Sequence, residues 1–169
     1  MNFHFDFHPL GDARELRTLV AFLAAQDLGY PHYDAWIQRT EHELDDGSKQ
    51  AVLAYDHGKL IGDVVFQPHR TIPDAIEIKN ARVAESAQWR SVGSFLLRQV
   101  EVEHDARLFI GDVRSNRPDI INFLYICGYR PLLKSHLYDL SDVPDVTMVK
   151  RNRRASLANV KRTILASSL

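Results

Sequence analysis

The chain has 169 residues, of which 45% are hydrophobic and 25% charged, and its net charge is −1. This length fits one ordinary domain, and the composition excludes a disordered or collagen-like chain. A single cysteine, Cys127, excludes an internal disulfide. No apolar stretch reaches the roughly 18 residues of a transmembrane helix. The N-terminus lacks the basic start and apolar block of a signal peptide, so we expect a cytoplasmic protein with no membrane partner.

Hydrophobic periodicity predicts alternating strands and helices, with Pro118 suited to a helix start and Gly128 to a helix end. In chain order the pattern predicts a strand (2–8), two helices (13–27 and 32–45), a hairpin (50–56 and 59–67), a strand (75–83), a helix (91–104), a strand (107–113), a helix (118–127), two strands (134–140 and 146–151) and a last amphipathic helix (154–166). The chain is therefore predicted to be of the α/β (α+β) class.

The end of the chain is basic. No Asp or Glu follows Asp145, whereas six basic residues do: Lys150, Arg151, Arg153, Arg154, Lys161 and Arg162. Such a tail favours either an anionic partner such as a nucleic acid, or packing on the chain's own body or on a second subunit. No aromatic residue is interleaved with these charges, so packing, including packing in a homodimer, is preferred over nucleic-acid binding.

The loop that leads into helix 91–104 carries the clearest sign of a site. Small residues there (Ser91, Gly93 and Ser94) let a ligand approach the backbone closely. The first N–H groups of a helix have no intrahelical partner, and the helix dipole adds positive potential. We therefore expect an anion site suited to a phosphate or pyrophosphate, the alternative being a plain helix start.

The order of the short motifs resembles the GCN5-related N-acetyltransferase (GNAT) superfamily. The family's acetyl-CoA loop, Gln/Arg-x-x-Gly-x-Gly/Ala, corresponds to Gln88-Trp89-Arg90-Ser91-Val92-Gly93, with Ser91 in place of the first glycine. Hairpin 50–67 and the segment with Asn116 and Gly128-Tyr129 match further landmarks. The resemblance covers about residues 3–150. It implies a mixed, mostly antiparallel sheet with helices on both faces in a domain over 1–151. Residues 152–169 lie outside the resemblance and are predicted to be a basic amphipathic C-terminal helix or tail.

The resemblance implies an N-acetyltransferase that uses acetyl-CoA and no metal. The acetyl group would pass by direct attack to a primary amine whose identity the sequence leaves open. The resemblance assigns acetyl-CoA binding to the backbone of Val83 and Ala84 and to the following residues: Gln88, Trp89, Arg90, Ser91, Val92, Gly93, Ser94 and Asn116.

Two side chains are candidates for catalysis. Glu77 lies six residues before Val83, at a position where some family members have a catalytic carboxylate, so it is a candidate general base. The alternative is a structural carboxylate on the strand that pairs with a neighbouring Lys or Arg. Many family members have a Tyr that can protonate the leaving thiolate, but this chain has Leu124 at that position, so the general acid is open to two interpretations. Tyr125 is adjacent, but one helical step rotates a side chain by about 100°. Either the helix is locally shifted, or water replaces the acid.

Other features leave alternatives open. Asp112 either assists catalysis or caps a loop, and the aromatic segment 30–36 either lines the acceptor site or packs in the core. A metal site on the strand face of His4, Asp6 and His8 is not expected, because alternate strand residues are nearly 7 Å apart. Two other functions remain: a non-catalytic acyl-CoA-binding module, and an RNA-directed acetyltransferase of the aminoacyl-tRNA type.

Overall fold

The computed structural model describes residues 5–26, 32–137 and 142–152. The chain divides into two compact units, which we describe separately: Met1–Gln67 with Ile78–Val100, and Pro68–Glu77 with Glu101–Leu169. The predicted tail helix, 154–166, lies outside the described residues. The predicted boundary between a domain and a tail near residue 151 therefore stays a prediction.

The described residues form four α-helices, one 3₁₀ turn and seven strands. Their bounds are β1 Phe5–Pro9, α1 Ala13–Ala24, α2 Tyr33–Asp45, β2 Gln50–Asp56, β3 Lys59–Pro68, β4 Ala75–Val83, the 3₁₀ turn Glu85–Ala87, α3 Val92–Glu103, β5 Leu108–Arg114, α4 Pro118–Ile126, β6 Arg130–Ser135 and β7 Asp145–Arg151. The strands follow the order β1-β2-β3-β4-β5-β7-β6. Pairs β1–β2, β2–β3, β5–β7 and β6–β7 are antiparallel, which confirms the predicted mixed, mostly antiparallel sheet.

In the first unit, local sequence explains why α1 and β3 form where they do. The Asp12 carboxylate caps α1 by accepting hydrogen bonds from the N–H groups of Arg14 and Glu15, both at 2.9 Å. Leucines on one face of α1 are buried in a core with residues of α2 and β2: Leu16, Leu19, Leu23, Ile37, Leu44 and Leu53. Strand β3 forms the second arm of the predicted hairpin and is buried from Leu60 to Gln67.

Gly62 on β3 allows α3 to pack closely on the sheet. A Cβ atom at this position would lie 2.9 Å from the carbonyl oxygen of Arg82, and 3.1 and 3.3 Å from side-chain carbons of Leu96 and Val92. Any larger residue would push these groups apart, because the first contact is with backbone. Gly62 therefore fixes how closely the N-terminal turns of α3 approach β3.

In the second unit, α4 ends where the sequence predicts. Gly128 has φ 94°, a conformation that favours glycine, and the Gly128 and Tyr129 N–H groups bond to the carbonyls of Tyr125 and Leu124. Strand β6 follows at Arg130–Ser135, so its predicted start at residue 134 is wrong. Proline is disfavoured inside a sheet, but β6 lies at an edge, where Pro131 is tolerated, and its pairing with β7 is irregular between Pro131 and Leu133.

None of the helices described here is long and apolar enough to cross a membrane. Among the same residues, no cluster of three or more His, Cys, Asp or Glu side chains is arranged to hold a metal ion.

Candidate functional site

The loop before α3 has an unusual backbone. Trp89 and Ser91 have φ values of 64° and 63°, in the left-handed region that favours glycine. Ser91 occupies the position where the resembled motif has glycine, and its φ supplies the physical reason for glycine there. A non-glycine residue in this conformation costs on the order of 1–2 kcal/mol, so the rest of the loop must hold Ser91 in place.

The first turn of α3 offers unused backbone donors. Its first intrahelical bond runs from the Phe95 N–H to the Ser91 carbonyl, at 3.1 Å, which makes Ser91 the residue that precedes the helix. The N–H groups of Val92, Gly93 and Ser94 come before that bond and have no intrahelical partner. The Ser94 hydroxyl donates to the Ser91 carbonyl at 2.8 Å and thereby strengthens the turn. Three amides and the positive end of the helix dipole thus converge on one point, which suits an anion.

The end of β4 meets this loop through backbone contacts. The Ala84 N–H donates to the Ile61 carbonyl on β3 at 2.8 Å, so this donor is already used. Successive N–H groups of a strand alternate between its two edges, so the Val83 N–H lies on the edge of β4 away from β3. The Gln88 side chain lies 3.4 Å from the Val83 carbonyl and links the loop to the strand. Of the two backbone donors predicted at this point, Val83 is the better placed.

Arg90 and Trp89 are neighbours in the loop, but their side chains have different environments. The Arg90 guanidinium lies 3.2 Å from the Asp56 carboxylate and 4.7 Å from the Phe5 ring centroid. Hydrogen bonds from His57 and then from Arg90 lower the pKa of the Asp56 carboxyl. Trp89 is 99% exposed and lines, with Arg90, an open groove of about 650 Å³ whose other members are Phe5, Phe7, Ser91 and Phe95. Arg90 is therefore already neutralised by an acid, whereas Trp89 is available to a ligand.

The second unit contains Glu77, Asp112 and Asn116. Glu77 is half-buried on β4, and both its predicted role as a base and the alternative of a paired carboxylate stay open. Asp112 on β5 accepts a hydrogen bond from the Thr147 hydroxyl, at 2.7 Å, across the β5–β7 pair. Asn116 is exposed between β5 and α4.

Helix α4 is not shifted at the position where a general acid was expected. The Ile121 and Cys127 N–H groups bond to residues four positions earlier, as in a regular helix. Leu124 faces inward and is 8% exposed, whereas Tyr125 is 55% exposed and its ring centroid lies 4.0 Å from the Arg130 guanidinium. The helix is therefore not locally shifted, which was one of the two alternatives given by the sequence, and Tyr125 is on its outer face.

A buried polar network in the first unit was missed from the sequence. Asp63 on β3 is 0% exposed and accepts a hydrogen bond from the Asn80 side chain, and the Asn80 carbonyl accepts one from Arg82 Nε at 2.8 Å. Arg82 also donates to the Tyr33 hydroxyl and to the Gln26 carbonyl. Burial raises the pKa of Asp63 to about 7, although the Asn80 hydrogen bond and the Arg82 charge act in the opposite direction. A lone acid within the apolar run of β3 was the signal that would have revealed it.

The aromatic residues at the start of α2 belong to this network. Tyr33 is buried and donates to the Leu23 carbonyl at 2.7 Å, and its ring stacks on that of Trp36 with 5.6 Å between centroids. Tyr30 and Pro31 lie outside the described residues. Tyr33 is thus a core residue, which is one of the two interpretations of segment 30–36, and its hydroxyl also accepts a hydrogen bond from Arg82.

Comparison with known proteins supports one fold. No family model matches the chain, and no curated protein does. Among solved structures, a candidate acetyltransferase of the GNAT family from Desulfovibrio desulfuricans is similar with a TM-score of 0.77 at 12% identity, over 88% of this chain and 99% of that one. The ribosomal-protein-S18-alanine N-acetyltransferase from Escherichia coli gives 0.70 at 15%, over 87% and 93%. A dodecameric spermidine N-acetyltransferase from Vibrio cholerae gives 0.68 at 13%, over 88% and 94%.

The chain therefore has the fold of the GNAT acetyltransferases, as the motifs predicted. At these identities the likeness establishes the architecture, and the chemistry has to be argued from the residues of this chain.

Proposed function

We propose that this chain is an N-acetyltransferase that transfers the acetyl group of acetyl-CoA to a primary amine by direct attack. The observation that carries the proposal is the loop before α3. In a GNAT fold, the left-handed Trp89 and Ser91 lead into three helix amides that precede the first intrahelical bond.

The residues of this loop fit a pyrophosphate. The N–H groups of Val92, Gly93 and Ser94 would donate to its oxygens, and the Ser91 hydroxyl adds a further donor. The glycine at position 93 keeps side-chain bulk away from the three amides. Trp89 is exposed beside them and can cover the ligand.

The remaining roles fall to groups of β4. Acetyl-CoA supplies a thioester whose carbonyl carbon an amine can attack. Glu77 would remove the proton that the amine has to lose, and the Val83 N–H would donate a hydrogen bond to the carbonyl oxygen. Water would return a proton to the leaving thiolate, because Leu124 replaces the usual acid and Tyr125 is on the outer face of α4.

The test measures free thiol released from acetyl-CoA over a panel of amines, with wild type compared with Gly93→Glu. The added carboxylate would lie at the proposed phosphate position, so acetyl-CoA binding and thiol release should both be lost. The fold should survive, because an acid is favourable in the first turn of a helix. Val102→Glu, at an exposed position of the last turn of α3, is the matched control and should bind acetyl-CoA like wild type. Normal binding by Gly93→Glu would contradict the assignment of the loop.

A non-catalytic acyl-CoA-binding module is the second candidate. The observation that favours it is the inward Leu124 beside the outward Tyr125, which leaves the general acid of the resembled family without a counterpart on α4. Stabilisation of the fold by acetyl-CoA without thiol release for any amine would favour this module over the enzyme.

A further inference from the structure

Three large apolar side chains are exposed where α3 and α4 end, in the second unit. Val102 on the last turn of α3 is 50% exposed, and on the last turn of α4 Tyr125 is 55% and Ile126 83% exposed. Single exposed apolar residues are ordinary on a protein surface, but large ones grouped at one place mark an interaction surface. We call Val102, Tyr125 and Ile126 the end patch.

One lysine of β7 joins the two helix ends. The Lys150 ammonium lies 2.7 Å from the Glu101 carboxylate at the end of α3, and it donates to the Cys127 carbonyl just after α4, also at 2.7 Å. Glu101 and Cys127 are each next in sequence to a residue of the end patch. Gly128 permits this approach, because a Cβ atom there would lie 3.3 Å from Lys150 Cε. The last residues of β7 are therefore fixed at the ends of both helices.

The chain continues from this point into its basic C-terminal segment, 153–169. Strand β7 ends at Arg151, and the Asn152 N–H donates to the Arg107 carbonyl at 3.0 Å. Only residues 152 and 153 separate β7 from the amphipathic helix that the sequence predicts over 154–166. A connection this short gives the C-terminal segment a high effective concentration at the end patch.

The predicted helix has an apolar face that needs a partner. At 100° per residue, Leu157, Val160 and Ile164 fall within about 60° of one another. An isolated helix of this length is marginal in water, and an apolar face stabilises it only when that face is packed. The end patch is an apolar surface at the point where the C-terminal segment begins.

Charge favours the chain's own body as the partner. The C-terminal segment has four basic residues and no acid, so the rest of the chain carries −5 of the total net charge of −1. Arg154 and Lys161 lie beside the apolar face of the predicted helix, within about 60° of Leu157. Two exposed acids, Glu103 and Asp105, lie at the end of α3. The charges beside the two apolar surfaces are therefore complementary.

We propose that the C-terminal segment docks as a helix on the end patch of its own chain, with its apolar face against the three exposed side chains. This inference does not depend on acetyl transfer. A nucleic acid fits the same place less well, because its phosphates would meet Glu103 and Asp105. A second copy fits less well too, because it would compete with a segment tethered beside the patch, and Pro131 interrupts the donors of the adjacent edge strand β6.

The test follows hydrogen exchange of the amides of residues 154–166 in the full chain by mass spectrometry, at two protein concentrations. Docked amides should exchange at least about 10-fold more slowly than those of an unstructured chain. The protection should be the same at both concentrations, because the contact lies within one chain.

Variants on both sides of the contact identify it. Val160→Glu places a charge on the apolar face of the segment, and Ile126→Glu places one on the end patch. Each should abolish the protection of 154–166 and leave exchange in the rest of the chain unchanged, since Ile126 is largely exposed. Asn159→Glu is the matched control, because position 159 points away from the apolar face, and it should keep the protection. If Ile126→Glu does not fold, Val102→Glu takes its place.

Four outcomes would overturn the inference. Exchange of 154–166 at the rate of an unstructured chain in wild type would show that the segment is not docked. Equal losses in Val160→Glu and Asn159→Glu, or full protection in the patch variant, would show that the contact is not the one proposed. Protection that appears only at the higher concentration would assign the patch to a second copy. Protection that requires an added RNA oligonucleotide would identify a nucleic-acid partner.

Discussion

Replacement of Asp63 by asparagine should remove a specific part of the pH dependence of stability. The carboxyl is fully buried on β3, and burial raises its pKa from 3.8 to about 7. The folded protein therefore holds this proton more tightly than the unfolded chain. The stabilisation that the proton gives is complete below pH 3.8, falls as the pH rises towards 7, and has been lost above that pH. The amide of the variant cannot titrate, but it keeps an oxygen that accepts the Asn80 hydrogen bond.

The size of the effect follows from the two pKa values. Each pKa unit corresponds to about 1.4 kcal/mol. Between about pH 5 and about pH 8, deprotonation of the Asp63 carboxyl should therefore lower the free energy of unfolding of wild type by about 3 kcal/mol. Urea unfolding followed by circular dichroism at both pH values measures it. Other groups titrate in this range, so the quantity of interest is the pH-induced change in wild type minus the same change in Asp63→Asn.

Asp119→Asn is a suitable control. A hydrogen bond from the Arg117 guanidinium lowers the pKa of the exposed Asp119 carboxyl, so it stays ionised from pH 5 to pH 8, and its removal should leave the pH dependence unchanged. If Asp63→Asn loses as much stability as wild type between pH 5 and pH 8, the folded protein does not hold the Asp63 proton more tightly than the unfolded chain, and the raised pKa is refuted.

Three further predictions test the cofactor, the base and the packing of α3. Acetyl-CoA at about a hundred times its dissociation constant should raise the free energy of unfolding by about 2.7 kcal/mol, and no thermal shift at millimolar ligand would contradict the proposed binding loop. Glu77→Gln should lower kcat at least about 10²-fold, with partial recovery at high pH and unchanged acetyl-CoA affinity; lost affinity would instead identify Glu77 as a structural carboxylate. Gly62→Ala should lower the free energy of unfolding, measured with urea, by about 1–3 kcal/mol, because the added Cβ lies 2.9 Å from the Arg82 carbonyl oxygen. Gly11→Ala should lower it less, because a Cβ at position 11 contacts only the flexible Glu15 side chain.

The candidate anion-binding loop could be located from the sequence because its signals are local. The anion site depends on residues 88–94 and on a helix start, and both are visible in a short stretch of sequence. The rotation between Leu124 and Tyr125 was predictable for the same reason, since it follows from helix geometry alone. The left-handed backbone of Trp89 was not, because nothing in a tryptophan indicates that conformation.

The Arg82 network could not be predicted, because its members are close only in the fold. Asp63 and Asn80 are 17 positions apart, and Tyr33 and Arg82 are 49 apart. The sequence shows that β3 and β4 are neighbours in the chain, but their register decides which polar side chains meet. The misplaced start of β6 has a similar cause, since the edge position of Pro131 is a property of the whole sheet.

The positions of the two tryptophans give the chain two separate optical reporters. Trp89, fully exposed beside the α3 amides, should emit at long wavelength and be quenched readily by iodide. Trp36 is half-buried between Tyr33 and Arg82, so its emission should lie at shorter wavelength and resist the same quencher. With Trp36→Phe and Trp89→Phe to separate the two signals, the proposed acetyl-CoA site can be titrated at Trp89 while Trp36 reports on the core of the first unit. Binding and unfolding then become measurable in one sample without any label.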